Sequence, residues 1–106
     1  MGRAPTGTVE LVVLRGKQAV MRSVLTIRDG EIPGVAEGPA EAPDVVLSLT
    51  PQDAEAMRAG ALDPNVAYMR GTMKMAGDNG VLLAVLPVLH GPAWAAVREQ
   101  ALSPLA

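Results

Sequence analysis

Apolar and polar residues alternate through the first half of the chain and gather into helical runs through the second. Thr8 to Leu14 is rich in Val and Leu, the pattern of a strand buried on much of both faces. Arg15-Gly16-Lys17-Gln18 reads as a turn. Ala19 to Ile27 then alternates, with Ala19, Met21, Ser23, Leu25 and Ile27 on one face and Val20, Arg22, Val24 and Thr26 on the other. Asp29-Gly30 is a two-residue hairpin signal that returns the chain into a weaker strand over Glu31 to Glu37. Gly38 to Pro43 is a loop, and Asp44 to Leu49 a fourth strand.

Thr50-Pro51-Gln52-Asp53 opens a helix. Thr50 caps it, Pro51 suits the first helical position, and Asp53 lies near the positive end of the dipole. Gly60 closes it. Asp63-Pro64 starts a second helix by the same logic, ending near Arg70. The stretch Tyr68 to Asp78 joins that helix to a short strand over Thr72 to Gly77, and the strand to a further helix. Met73 and Met75 fall on one face of this strand, and Thr72, Lys74 and Ala76 on the other. Asp78 caps the apolar run Val81 to Leu89, which Pro87 ends or kinks. The run is too short to span a bilayer. Ala93 to Leu102 is an amphipathic helix with Trp94, Val97 and Ala101 on one face. Four strands, two helices, one strand and two more helices make an α+β domain, with one sheet covered on one face by helices. Residues 1–7 and 103–106 read as tails around a single domain over residues 8–102.

Leu49-Thr50-Pro51-Gln52-Asp53, Gly60, Asp63-Pro64 and Met69-Arg70-Gly71-Thr72-Met73-Lys74-Met75-Ala76-Gly77-Asp78 resemble the sterol carrier protein type 2 family of lipid-binding domains. The resemblance runs from about Val20 to Leu89 and is most specific from Asp44 onward. It implies a five-stranded sheet whose helices enclose an apolar cavity, with Met57, Met69, Met73 and Met75 bordering it. Members of the family usually begin with a helix or two before the first strand. Only a short tail precedes Thr8, so the resemblance implies a cavity that is more open, or closed by a partner or by the last helix.

Composition narrows the function. The chain has 106 residues, 49% of them apolar, yet no Phe, one Trp and one Tyr, so Ala, Val, Leu and Met must fill its interior. The net charge of −2 leaves no electrostatic footprint for nucleic acid. With no Cys there is neither a disulfide framework nor a thiolate ligand, which fits the cytoplasm. There is no apolar signal core at the N-terminus and no peroxisomal tripeptide at the C-terminus. Eukaryotic members of the resembled family often carry such a tripeptide, so the resemblance implies a bacterial-type cytosolic protein.

Candidate chemistry is sparse. The four methionines read first as core filling in a chain without Phe, and second as a soft cavity wall. Lys74 and Arg70 read as solvated. His90, the single histidine, reads as a helix C-terminal residue meeting the dipole. Acid–base work would need a partner within reach, one that only Asp44, Asp63 or Asp78 could supply through the fold. The remaining acids are scattered and suggest no metal site. No nucleophile elbow, phosphate loop or dinucleotide fingerprint is present.

The expected function is therefore non-catalytic binding, transfer or presentation of a hydrophobic molecule: a sterol, a fatty acid or acyl lipid, or an isoprenoid. The expected ligand-binding residues are Met57, Met69, Met73, Met75, Leu82, Val85, Leu86, Leu89 and Trp94. Met73 and Met75 should point toward the helices, with Leu82, Val85, Leu86 and Leu89 as the opposing wall. No cofactor or metal is expected. Expected partners are the lipid ligand, a membrane in transient contact, and a second copy or a partner enzyme. The alternatives are an accessory interaction or dimerisation module for a larger enzyme, and an enzyme using His90 with a carboxylate.

Overall fold

A computed structural model describes residues 6–102. The expected tail over 103–106 lies outside the described residues, as do residues 1–5. Thr6 and Gly7, read as tail from the sequence, are tied to the sheet. Gly7 already pairs with Ile27, and the Thr6 hydroxyl accepts a hydrogen bond from the Asp29 amide at 3.1 Å.

Five strands form one sheet in the order β3-β2-β1-β4-β5. They are β1 (Gly7–Arg15), β2 (Gln18–Arg28), β3 (Glu31–Glu37), β4 (Val45–Leu49) and β5 (Lys74–Gly77). β1 and β4 run parallel and the other pairs antiparallel. The helices are α1 (Pro51–Arg58), α2 (Pro64–Arg70), α3 (Asn79–Val85) and α4 (Pro92–Leu102), with a 3₁₀ turn over Val88–His90. The α+β class and the five-stranded sheet read from the sequence are what the chain forms.

The central position of β1 explains its apolar sequence. Val9, Leu11 and Val13 join the core under the helices. Glu10 and Val12 lie on the opposite face by strand alternation, and both are buried as well. The Glu10 carboxylate accepts from Arg22 Nη1 at 2.7 Å and from the Ala40 amide at 3.2 Å. The loop after β3 thus reaches back over the second face of the sheet.

Helix starts follow their caps. Thr50 accepts from the Asp53 amide at 3.1 Å, Asp63 from the Asn65 amide at 2.7 Å, and Asp78 from the Val81 amide at 3.0 Å. α3 stops at Val85 because Pro87 has no amide to continue it. The chain then tightens into the 3₁₀ turn. β5 is two residues shorter than the strand expected from Thr72. The amides of Thr72 and Met73 both bond to the Ala67 carbonyl at the end of α2, at 3.0 and 3.2 Å. They close the helix and are unavailable to the sheet. Gly77 ends β5 at φ 121°, where an added Cβ would lie 2.3 Å from the Asp44 carbonyl oxygen. Only glycine lets β5 approach the start of β4 this closely.

No single helix among the described residues is long and apolar enough to cross a membrane.

Candidate functional site

An apolar cleft of about 670 Å³ opens beside α4. Gly30, Glu31 and Ile32 at the start of β3 form one side, and Ala84, Pro87 and Val88 the second. Ala93, Ala96 and Val97 of α4 form the third, with Gly91 and Pro92 at its start. Among the described residues, Glu31 is the sole ionisable one on this wall. The volume lies within the range of about 300–1,000 Å³ common for small-molecule sites. The wall is made mostly of small residues, so the space arises where side chains are short.

The residues singled out from the sequence lie mainly behind this wall. Met57, Met73, Leu82, Val85, Leu86, Leu89 and Trp94 are all buried in one continuous core with the inner faces of β1, β2 and β4. Met75 is half-buried against that core, opposite Leu47 in the β4–β5 register. Met73 and Met75 thus face the helix side of the sheet, while Lys74 is exposed. Met69 differs from the rest. At 83% exposure it points to solvent from α2 and touches none of the clefts. None of the nine lines the apolar cleft. Val85, Leu86 and Leu89 alternate along the chain with Ala84, Pro87 and Val88, which do.

The sequence reading did not assign Gly91, Pro92, Ala93, Ala96 and Val97 to the binding wall. Bulky aliphatics drew attention to the core. The signal for an open wall was the opposite, a run of glycine, proline and alanine at the start of an amphipathic helix.

A smaller pocket of about 100 Å³ lies on another side of α4. Met57, Gly60, Asp63, Leu89, Trp94 and Arg98 are among its lining residues. His90 is there too, and the fold supplies it with the carboxylate partner that its sequence neighbourhood lacked. His90 Nδ1 is in direct contact with Asp63 Oδ2. The expectation that His90 meets only a helix dipole is corrected to this extent. Asp63 reaches it because capping α2 turns its side chain toward the 3₁₀ turn. Asn65 adds a second tie, donating from Nδ2 to the Leu86 carbonyl at 2.7 Å. Partial burial raises the Asp63 pKa, but the hydrogen bonds from His90 and the Asn65 amide outweigh it and hold the carboxyl below its ordinary value. The His90 side chain is 71% exposed, so the pair lies at the rim of the pocket. No group of three or more potential metal ligands occurs among the described residues.

Solved structures share this architecture. A possible sterol carrier protein from Thermus thermophilus superposes with a TM-score of 0.68 at 22% identity, over 95% of this chain and 73% of that one. The palmitated sterol carrier protein 2-like 2 of Aedes aegypti gives 0.65 at 19% identity, over 85% and 78%. These two likenesses concern the fold. The sec-alkylsulfatase Pisa1 from a Pseudomonas species gives 0.54 at 26% identity, over 81% of this chain but 13% of the enzyme. No curated protein matches the sequence. The model of the SCP-2 sterol transfer family matches residues 5–90, and the chain belongs to that family.

Proposed function

We propose that the protein binds a hydrophobic small molecule, a sterol, acyl chain or isoprenoid, in the apolar cleft between the start of β3, the α3–3₁₀ segment and α4, and carries or presents it in the cytoplasm without chemical change. The observation that carries this reading is the cleft itself: about 670 Å³ with almost no charge on its wall. Family membership supports it. Each methylene moved from water into such a site gains about 0.8 kcal/mol. An acyl chain therefore gains on the order of 10 kcal/mol before association and ordering costs. The buried residues Val85, Leu86 and Leu89 act behind the wall, holding Ala84, Pro87 and Val88 in place. Transient contact with a membrane would supply and receive the ligand.

The test combines native mass spectrometry of the purified protein with titration of a fluorescent fatty acid or sterol analogue. Ala93→Glu puts a carboxylate on the cleft wall and weakens binding at least tenfold. Lys74→Ala, on the opposite face of the sheet, leaves it unchanged. An unaffected Ala93→Glu variant would remove the cleft from the mechanism.

A second reading is an accessory module that docks on or dimerises a larger enzyme. Its support is the occurrence of a similar domain within the alkylsulfatase chain. A protein free of lipid that dimerises in solution would favour it.

A further inference from the structure

The small pocket beside α4 has polar chemistry that the apolar cleft lacks. We propose that it binds a small oxyanion, a carboxylate or phosphate group, through the Arg98 guanidinium and the Trp94 indole N–H.

Three observations converge on it. The first is an uncompensated cation. Arg98 is half-buried and forms no ion pair among the described residues. The acid beside it in sequence, Glu99, pairs with Arg58 at 3.5 Å, and Asp63 is taken by His90. The Asp63 carboxylate already accepts from the Asn65 amide and is in contact with His90, so Arg98 is the charged group of the pocket that is left to pair.

The second is an unused donor. Trp94 is 4% exposed, yet its indole N–H has no hydrogen-bond partner among the described residues. Among the described residues, no side-chain nitrogen or oxygen that is sealed from solvent lacks a partner. Of the clefts described, Trp94 lines this pocket alone.

The third is the seat of the arginine. Gly60 follows α1 at φ 83°, and a Cβ added there would lie 2.6 Å from Arg98 Nη2. The guanidinium rests where any other residue would put a side chain. Its planar fork suits paired oxygens, and hydrogen bonds to an anion are roughly twice as strong as neutral ones. At about 30 Å³ per water molecule, a pocket of about 100 Å³ has the room of a few waters. That is the scale of one carboxylate or phosphate group.

The chain has one tryptophan, so its indole N–H gives a single side-chain resonance in a ¹H–¹⁵N spectrum. The experiment follows that resonance through titrations of phosphate, octanoate and methyl octanoate at constant ionic strength, with sodium chloride as reference. We expect a saturable shift with phosphate, octanoate or both, and none with the ester or chloride. It should fall at least tenfold in apparent affinity for Arg98→Gln and be partly restored by Arg98→Lys, with the backbone spectrum of each variant showing that it is folded. Octanoate displacing phosphate identifies the anion as the head group of a ligand. Phosphate binding that octanoate cannot displace identifies a free ion. No saturable shift with either anion, or an equal shift in folded Arg98→Gln, overturns the proposal. None of these outcomes depends on lipid occupying the apolar cleft.

Discussion

The buried hydroxyl of Ser23 donates to the carbonyl of Ala101 at 2.6 Å, joining residues 78 apart in sequence. It is a direct polar tie between the sheet and the final turn of α4, the helix whose side forms one wall of the apolar cleft. A serine on the core face of β2 is out of place by polarity alone. The carbonyl of Ala101, near a helix end with no partner within its own helix, accounts for it. Ser23→Ala leaves that carbonyl without a donor and should cost about 1–3 kcal/mol. Urea denaturation measures the loss, and hydrogen exchange at Gln100 to Leu102 should speed up with it. An unchanged urea midpoint would show that α4 is held by packing alone.

The Asp63–His90 contact makes one limb of the acid stability profile. The folded Asp63 carboxyl titrates below its ordinary value of 3.8, so the folded state favours the charged form. The stabilisation is fully present above that ordinary value and is lost as pH falls through the lower folded value. Asp63→Asn keeps a capping oxygen for α2 but removes the charge. The stability gap between native protein and variant should be present at pH 6 and shrink progressively as the pH falls below 3.8. For a pair this exposed it should not exceed about 1 kcal/mol. Thermal melts of both proteins across that range check the sign: a gap that widens in acid would contradict it.

On the far face of the sheet, Glu10 keeps its carboxylate buried because Arg22 and the Ala40 amide both donate to it. Arg22→Ala removes the cation and leaves one weaker hydrogen bond. The cost should be about 1–3 kcal/mol, since Arg22 itself is 43% exposed. Adding Glu10→Gln should recover part of it, because a neutral amide is cheaper to bury than an unpaired carboxylate. A double-mutant cycle by urea unfolding measures the coupling. Additive effects would mean that the pair contributes nothing beyond its separate contacts.

The fold was legible wherever local chemistry decided it. The caps Thr50, Asp63 and Asp78, the Asp29-Gly30 turn, and Pro87 within its apolar run each act within a few residues, and the starts of α1, α2 and α3, the β2–β3 hairpin and the end of α3 follow from them. β5 was misjudged at its beginning because Ala67, five residues before Thr72, claims two amides that the two-residue period assigned to the sheet. The site was less legible. Burial can be inferred from bulky apolar residues, and Met57, Met73, Leu82 and Leu89 are indeed core. A cleft is where packing stops, and that depends on how helices from distant parts of the chain are spaced. The Asp63–His90 meeting had the same cause: the two side chains lie 27 residues apart and only the docking of α2 on the 3₁₀ turn brings them together.

The parallel pairing of β1 with β4 also sets a schedule for the chain's own synthesis. β1, β2 and β3 are consecutive and can pair as soon as they emerge. β1 belongs at the centre of the sheet, however, and its second edge waits for β4, five residues that follow a long loop. Until then a strand carrying Val9, Leu11 and Val13 presents a row of unpaired backbone groups, the arrangement most prone to intermolecular pairing. Pairing with β4 covers that edge of β1.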